Sequence, residues 1–255
     1  MTTGFPAQDR SVLKVSGADA EKFLQDLVTN DITKDGLIYA ALLTPQGKFL
    51  ADFLIQRDEN AYLLDTAKAA ADGLIQRLSM YKLRADVTID ATDIAVRVTM
   101  DPSIGLADPR SPALGRRVYG DADAVTEVEP RVWDETRIKH VIPMVGHELI
   151  ANDSFVLEHD FERISGVDFK KGCYVGQEVT ARMKHKTSLR KGIAGVTFDE
   201  AGVSEGVDIM SDGKIVGTIT SVAGLIGIAY LRFDRVGAEM TAAGVGVTLR
   251  ERPAS

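Results

Sequence analysis

Apolar positions along the chain follow helical spacing and strand alternation in its first two thirds and short strand-like runs in its last quarter. Phe23, Leu24, Leu27 and Val28 fall on one helical face behind Ser16-Gly17-Ala18-Asp19, which predicts an amphipathic helix with Ser16 as its N-cap. Residues 37–43 and 49–55 read as two strands. The intervening Thr44-Pro45-Gln46-Gly47-Lys48 is turn chemistry, so a β-hairpin is expected. Residues 62–64 extend that sheet. The alanine-rich stretch 67–83 carries Leu74, Ile75, Leu78 and Tyr81 on one side and predicts a second helix. Residues 87–89 and 94–100 alternate as strands do. The order is an α+β pattern with mainly antiparallel pairing.

Residues 101–115, with three prolines and two glycines, read as a connection. Helices are expected at 131–141, ending before Pro143, at 177–186, and as a short piece at 157–164. From Gly192 onward the runs 194–198, 207–210, 215–222, 228–231 and 245–249 are separated by glycine-bearing turns, among them Ser211-Asp212-Gly213-Lys214. Short strands without helices predict a small barrel, with a boundary near 188–192.

Composition narrows the function classes. Net charge is -7 over 255 residues, which argues against broad nucleic-acid binding. The most apolar run, 222–231, is too short to cross a bilayer, so no membrane partner is expected. The N-terminus lacks the basic start and apolar stretch of a secretory signal, and one cysteine cannot form an internal disulfide. A cytoplasmic location is the resulting expectation. His140, His147, His159 and His185 have no metal-ligand spacing, and no metal site is expected.

The single cysteine supplies the clearest chemistry. Cys173 follows Lys170 and Lys171, is bracketed by Gly172 and Gly176, and precedes a helix start. Ammonium groups and a helix N-terminus both favour thiolate over thiol, whereas a free cysteine is more commonly a small buried hydrophobe. Arg182, Lys184, Lys186, Arg190 and Lys191 form a basic stretch on an acidic chain. It is either a solvated helix face, with Glu178 pairing Arg182, or a dock for an anionic tail. Asp52 interrupts the apolar run Phe49-Leu50-Ala51-Asp52-Phe53-Leu54-Ile55. Period two puts it on a face with Leu50 and Leu54, so that face either looks into a polar cavity or lies outward on an edge.

The run Lys171-Gly172-Cys173-Tyr174-Val175-Gly176-Gln177-Glu178, continued by Ala181-Arg182, resembles the signature of the YgfZ-type folate-binding proteins. Phe23-Leu24-Gln25-Asp26-Leu27-Val28-Thr29-Asn30-Asp31-Ile32 and Leu43-Thr44-Pro45-Gln46-Gly47-Lys48-Phe49-Leu50-Ala51-Asp52 are similar to that family's first helix and first hairpin, and 217–232 to its closing barrel. The wider superfamily contains the glycine-cleavage T-protein. The resemblance implies a T-protein-like three-domain arrangement around a central pocket, divided as 1–45 and 125–188 for domain one, 46–124 for domain two and 189–255 for the barrel. It implies a tetrahydrofolate-binding accessory protein in iron–sulfur cluster assembly. Its partners would be assembly proteins and client four-iron four-sulfur enzymes, including tRNA-modifying radical enzymes.

Under that reading Cys173 is the reactive group and Lys171 helps to hold it as thiolate. Asp52, Tyr174, Gln177 and Glu178 would meet the folate, and Arg182 its glutamate tail. The T-protein carries two adjacent aspartates on its first-hairpin strand, where this chain has Ala51-Asp52, and an aspartate where this chain has Cys173. Those departures weigh against the alternative, a folate-dependent aminomethyltransferase.

Overall fold

A computed structural model describes residues 2–120, 125–127, 130–185 and 189–250. Two five-stranded sheets and a closed barrel make up the molecule. The first sheet has the order β3-β4-β5-β2-β6, from β2 (Arg10–Ser16), β3 (Ile38–Leu43), β4 (Phe49–Asp58), β5 (Ala61–Ala67) and β6 (Thr88–Ala91). The second has the order β10-β1-β7-β9-β8, from β1 (Thr2–Pro6), β7 (Val96–Thr99), β8 (Leu106–Ala107), β9 (Arg116–Tyr119) and β10 (Val125–Glu127). Its β1–β10 pair is parallel, and all other strand pairs among the described residues are antiparallel. The barrel runs β11-β14-β13-β12-β15-β16, from β11 (Lys191–Phe198), β12 (Asp208–Ser211), β13 (Lys214–Ala223), β14 (Ile226–Arg232), β15 (Met240–Ala242) and β16 (Val245–Leu249). The helices are α1 (Ala20–Leu27), α2 (Lys68–Lys82), α3 (Pro130–Lys139) and α4 (Gln177–Lys184). This is the expected α+β class with a C-terminal barrel.

The first sheet is covered on both faces. Ala40, Leu42, Phe53 and Ile55 point toward α1 and α2, while Tyr39, Ala41, Leu43 and Leu54 point toward the segment that runs from Ile142 to Tyr174. Burial on both sides accounts for the near-continuous apolar run in β3. The hairpin β3–β4 also spans the expected division at 45/46, so paired strands of one sheet fall on either side of it.

Four local expectations change. Ser16 does not cap α1: it closes β2, paired with Ala61 and Thr88, and Asp19 takes the N-cap position. Gly17 makes the sharp turn between them at φ 115°, where a Cβ would lie 2.2 Å from the Asp86 carbonyl oxygen. The short helix expected at 157–164 is instead a series of turns, because Asp160 adopts a left-handed φ of 65°. The connection 101–115 contains β8 and a 3-10 turn at Pro112–Leu114. Leu50 does not share a face with Asp52 and Leu54. The register shifts so that Leu42 pairs Ala51 while Leu43 pairs Phe49, leaving Leu50 in a bulge that packs toward the α1–α2 side.

Candidate functional site

A cavity of about 690 Å³ opens between the two sheets and α3, a size suited to a small-molecule ligand. Asp52 projects into it from β4, an interior strand flanked by β3 and β5. At 4% exposure the carboxylate is buried, which decides for the polar cavity over the outward edge. Its Oδ2 accepts a hydrogen bond from the Tyr39 hydroxyl at 2.7 Å, and its Oδ1 has no partner. Burial raises the Tyr39 phenol well above its ordinary range and Asp52 adds to the rise, so the hydroxyl keeps its proton and donates.

Arg10, Arg110 and Arg117 line the same cavity, Arg110 and Arg117 buried and Arg10 half-buried. Arg10 Nε donates to Asp65 Oδ1 at 2.6 Å. Arg110 grips Asp108 through Nε and Nη2 at 3.0 and 2.7 Å. Burial alone would raise the Asp108 carboxyl, but Arg110 and Arg117 outweigh it and hold the group below the usual carboxylate range. Arg117 lies 3.6 Å from both Asp65 and Asp108 and its Nε makes no hydrogen bond. Its guanidinium stands 5.7 Å from the Trp133 ring, whose buried Nε1 is also unpartnered. One acceptor and two donors without a hydrogen bond therefore belong to residues that line a single cavity, Arg117 Nε keeping only its 3.6 Å ion pair to Asp108. Buried polar atoms normally find partners, so the three together ask for a ligand offering N–H beside a carbonyl.

The cysteine motif stands elsewhere. Cys173 is exposed, and neither it nor Lys171, Tyr174, Gln177, Glu178 or Arg182 lines the Asp52 cavity. Lys171 is turned inward: its Nζ donates to the carbonyls of Gln25, Val28 and Asn30 at 2.7, 2.5 and 2.9 Å. It complements the C-terminal end of α1 and pins the motif to it. Burial pulls this ammonium down to about 8, against the opposing influence of Asp31, Asp168 and Asp26. It also stands 5.3 Å from the Tyr174 ring, and burial pushes that phenol up to about 12. Asp168 accepts from the main-chain N–H groups of Lys170 and Lys171 and thereby shapes the turn before the cysteine.

Gly176 caps α4 at φ 83°. A Cβ there would lie 2.6 Å from the Thr44 carbonyl oxygen, and one on Gly47 would lie 2.8 Å from Val179 Cβ. The motif is therefore seated on the tip of the β3–β4 hairpin. Gln177 is half-buried at the start of α4, while Glu178 and Arg182 are exposed. No ion pair joins Glu178 to Arg182 among the described residues, and Lys184 pairs with Glu162 instead. Lys186 and Ser188 lie outside the described residues.

The structure thus separates Asp52 from the other residues singled out in the sequence and adds Tyr39, Arg110, Arg117 and Trp133 to it. Asp108-Pro109-Arg110 was readable as a charged pair in a turn. Nothing local marked Arg117 or Trp133.

Two family models match the chain: the GCVT N-terminal domain over residues 7–144 and the CAF17 C-terminal beta-barrel domain over residues 190–254. The chain is 30% identical to the mitochondrial iron-sulfur cluster assembly factor IBA57 homolog of Pyricularia oryzae, a match covering 97% of this chain and 72% of that protein. It is 27% identical to mitochondrial IBA57 of Mus musculus, over 92% of this chain and 78% of the relative. Among solved structures, the glycine cleavage system aminomethyltransferase T from Bartonella henselae superposes with a TM-score of 0.82, covering 98% of this chain and 85% of that one. At 14% identity this likeness carries the fold and not the reaction.

The cytoplasmic expectation is overturned, because these assembly-factor relatives are named mitochondrial. A relative matched along nearly the whole chain, a GCVT domain over more than half of it and a CAF17 barrel at its end establish that this chain belongs to the CAF17/IBA57 family of iron–sulfur cluster assembly factors with a GCVT-like fold.

Proposed function

We propose that this chain serves iron–sulfur cluster assembly, with a reduced folate in the Asp52 cavity and Cys173 presented to protein partners. The observation that carries the folate reading is the trio of buried atoms without a hydrogen bond, Asp52 Oδ1, Arg117 Nε and Trp133 Nε1, around about 690 Å³ of space. A pterin edge offers N–H groups beside a carbonyl and fits that trio. When bound, tetrahydrofolate supplies ring nitrogens able to carry a one-carbon unit. Asp52, held by Tyr39, would orient the ring.

Family membership supports the assembly role. Cluster binding normally takes four thiolates, so the lone Cys173 would share a cluster with ligands from a partner, the cluster being cargo. Assembly proteins and client four-iron four-sulfur enzymes are the partners this reading names, tRNA-modifying radical enzymes among them, as the YgfZ-type resemblance implies.

Calorimetry with tetrahydrofolate tests the pocket. A ligand that binds only the folded chain adds about 2.7 kcal/mol of stability at a hundredfold excess over its dissociation constant. Asp52→Asn is expected to weaken binding about tenfold, since it turns one acceptor into a donor. No heat and no thermal shift with any reduced folate would remove the ligand from the reading. Complementation of an assembly-deficient strain tests the thiol: Cys173→Ala is expected to fail and Asp52→Asn to retain partial function. The reverse ranking would favour aminomethyl transfer.

A further inference from the structure

We infer that a second cavity, at the junction of the barrel and the 147–159 segment, binds a small molecule through a carboxylate or phosphate group. The cavity encloses about 940 Å³ and none of its lining residues lines the Asp52 cavity. One residue pair separates the two: Arg137 faces the first and Glu148 the second, joined by an ion pair at 3.2 Å.

Charge accounting selects the ligand class. Three acids line the second cavity and all three are engaged by the protein. Glu148 accepts from Arg137, Ser221, Thr220 and the Met144 N–H. Glu158 accepts from the Tyr230 hydroxyl at 2.7 Å, and Asp153 sits 3.9 Å from Lys48 Nζ. By contrast, Arg190 and Lys191 stand exposed at the rim and neither takes part in an ion pair among the described residues. Lys48 and Arg137 pair two of the acids, and the two rim cations stand against Glu158 alone, so positive charge is in excess at this cavity.

At the wall lies His159, 3% exposed, with Nδ1 unpartnered. Its ring stacks on Tyr230 with centroids 5.7 Å apart and planes 16° from parallel, which fixes its orientation. Burial drops its pKa to about 4, so the imidazole is neutral near pH 7 and one ring nitrogen carries a proton. An anionic ligand would select the tautomer with that proton on Nδ1 and accept from it. The rim cations and the buried donor thus address the same kind of group. They also give a role to the basic stretch of the sequence, two of whose members line this cavity rather than the Asp52 one.

The test is a titration of the full chain with succinate, inorganic phosphate and neutral succinamide, following the His159 imidazole resonances by nitrogen-15 NMR. Succinate or phosphate is expected to shift them saturably and succinamide to leave them in place. Response to succinate alone identifies a carboxylate ligand, and response to phosphate alone a phosphorylated one. Arg190→Gln combined with Lys191→Gln should weaken binding about tenfold without altering the unliganded melting temperature, because both side chains are exposed. The inference is overturned if neither anion moves the resonances, if succinamide binds equally, or if the double variant binds as wild type does. Tetrahydrofolate binding at Asp52 is unaffected by either result, so the two readings fail separately.

Discussion

His159 shows how one side chain carries a pH dependence that its position in the sequence does not announce. Its folded-state value of about 4 lies below the ordinary 6.5, so the unfolded chain binds the extra proton first as pH falls. Stability is therefore full above pH 6.5 and declines toward pH 4, by up to about 3 kcal/mol from this group. Urea midpoints measured between pH 7 and 4 should fall accordingly. His159→Phe, which keeps the stack on Tyr230, should flatten that part of the curve. At this scale Asp52 was legible, since an acid among apolar strand residues must find either a cavity or an edge. Arg117 and Trp133 were not. Arg117 sits in a short strand, Trp133 on a helix more than ten residues later, and only tertiary packing brings the two together.

At the scale of elements, the contact between α4 and the β3–β4 hairpin positions the cysteine. The strands of that hairpin and its turn were readable from alternation and from Thr44 to Lys48, and the turn closes with Thr44 N–H donating to the Lys48 carbonyl at 2.8 Å. That the turn would meet Gly176 was not readable, because the two lie far apart in sequence. Gly176→Ala places a Cβ at a left-handed φ and against a carbonyl oxygen, at an expected cost of about 1–3 kcal/mol. Thermal melting should register the loss, and hydrogen exchange should quicken at Gly47 and through α4. If exchange changes nowhere near the hairpin, the two elements are not coupled as described. The bulge at Leu50 belongs to the same scale: period-two reading fails wherever one strand gains a residue, and no local residue type marked it.

For the whole molecule, the barrel was legible as a class from its short strands, whereas its attachment was not. A buried polar network contributes to that attachment beside the apolar contact of Ile138 and Val141 with Ile193 and Ile228. Arg137 on α3 reaches Glu148, the Ile142 carbonyl and Ser221 of the barrel strand β13, while Glu148 also accepts from Thr220. Truncating one member of a buried ion pair strands the other, so Arg137→Met should cost about 3–5 kcal/mol. A urea transition that stays cooperative and merely shifts would indicate that barrel and sheets unfold together. A split into two transitions would mean that this network was what joined them.

Cys173 is the sole thiol of the chain and is exposed, so any disulfide it forms must link two molecules. Purified without reductant, the protein should migrate on a denaturing gel as a band of twice the monomer mass that collapses on adding dithiothreitol, and Cys173→Ser should abolish that band. Exposure also makes the residue a unique chemical handle. One maleimide per chain should attach without unfolding, which would allow a fluorophore or cross-linker to be set at this single point on the molecular surface and the neighbours it meets to be captured there.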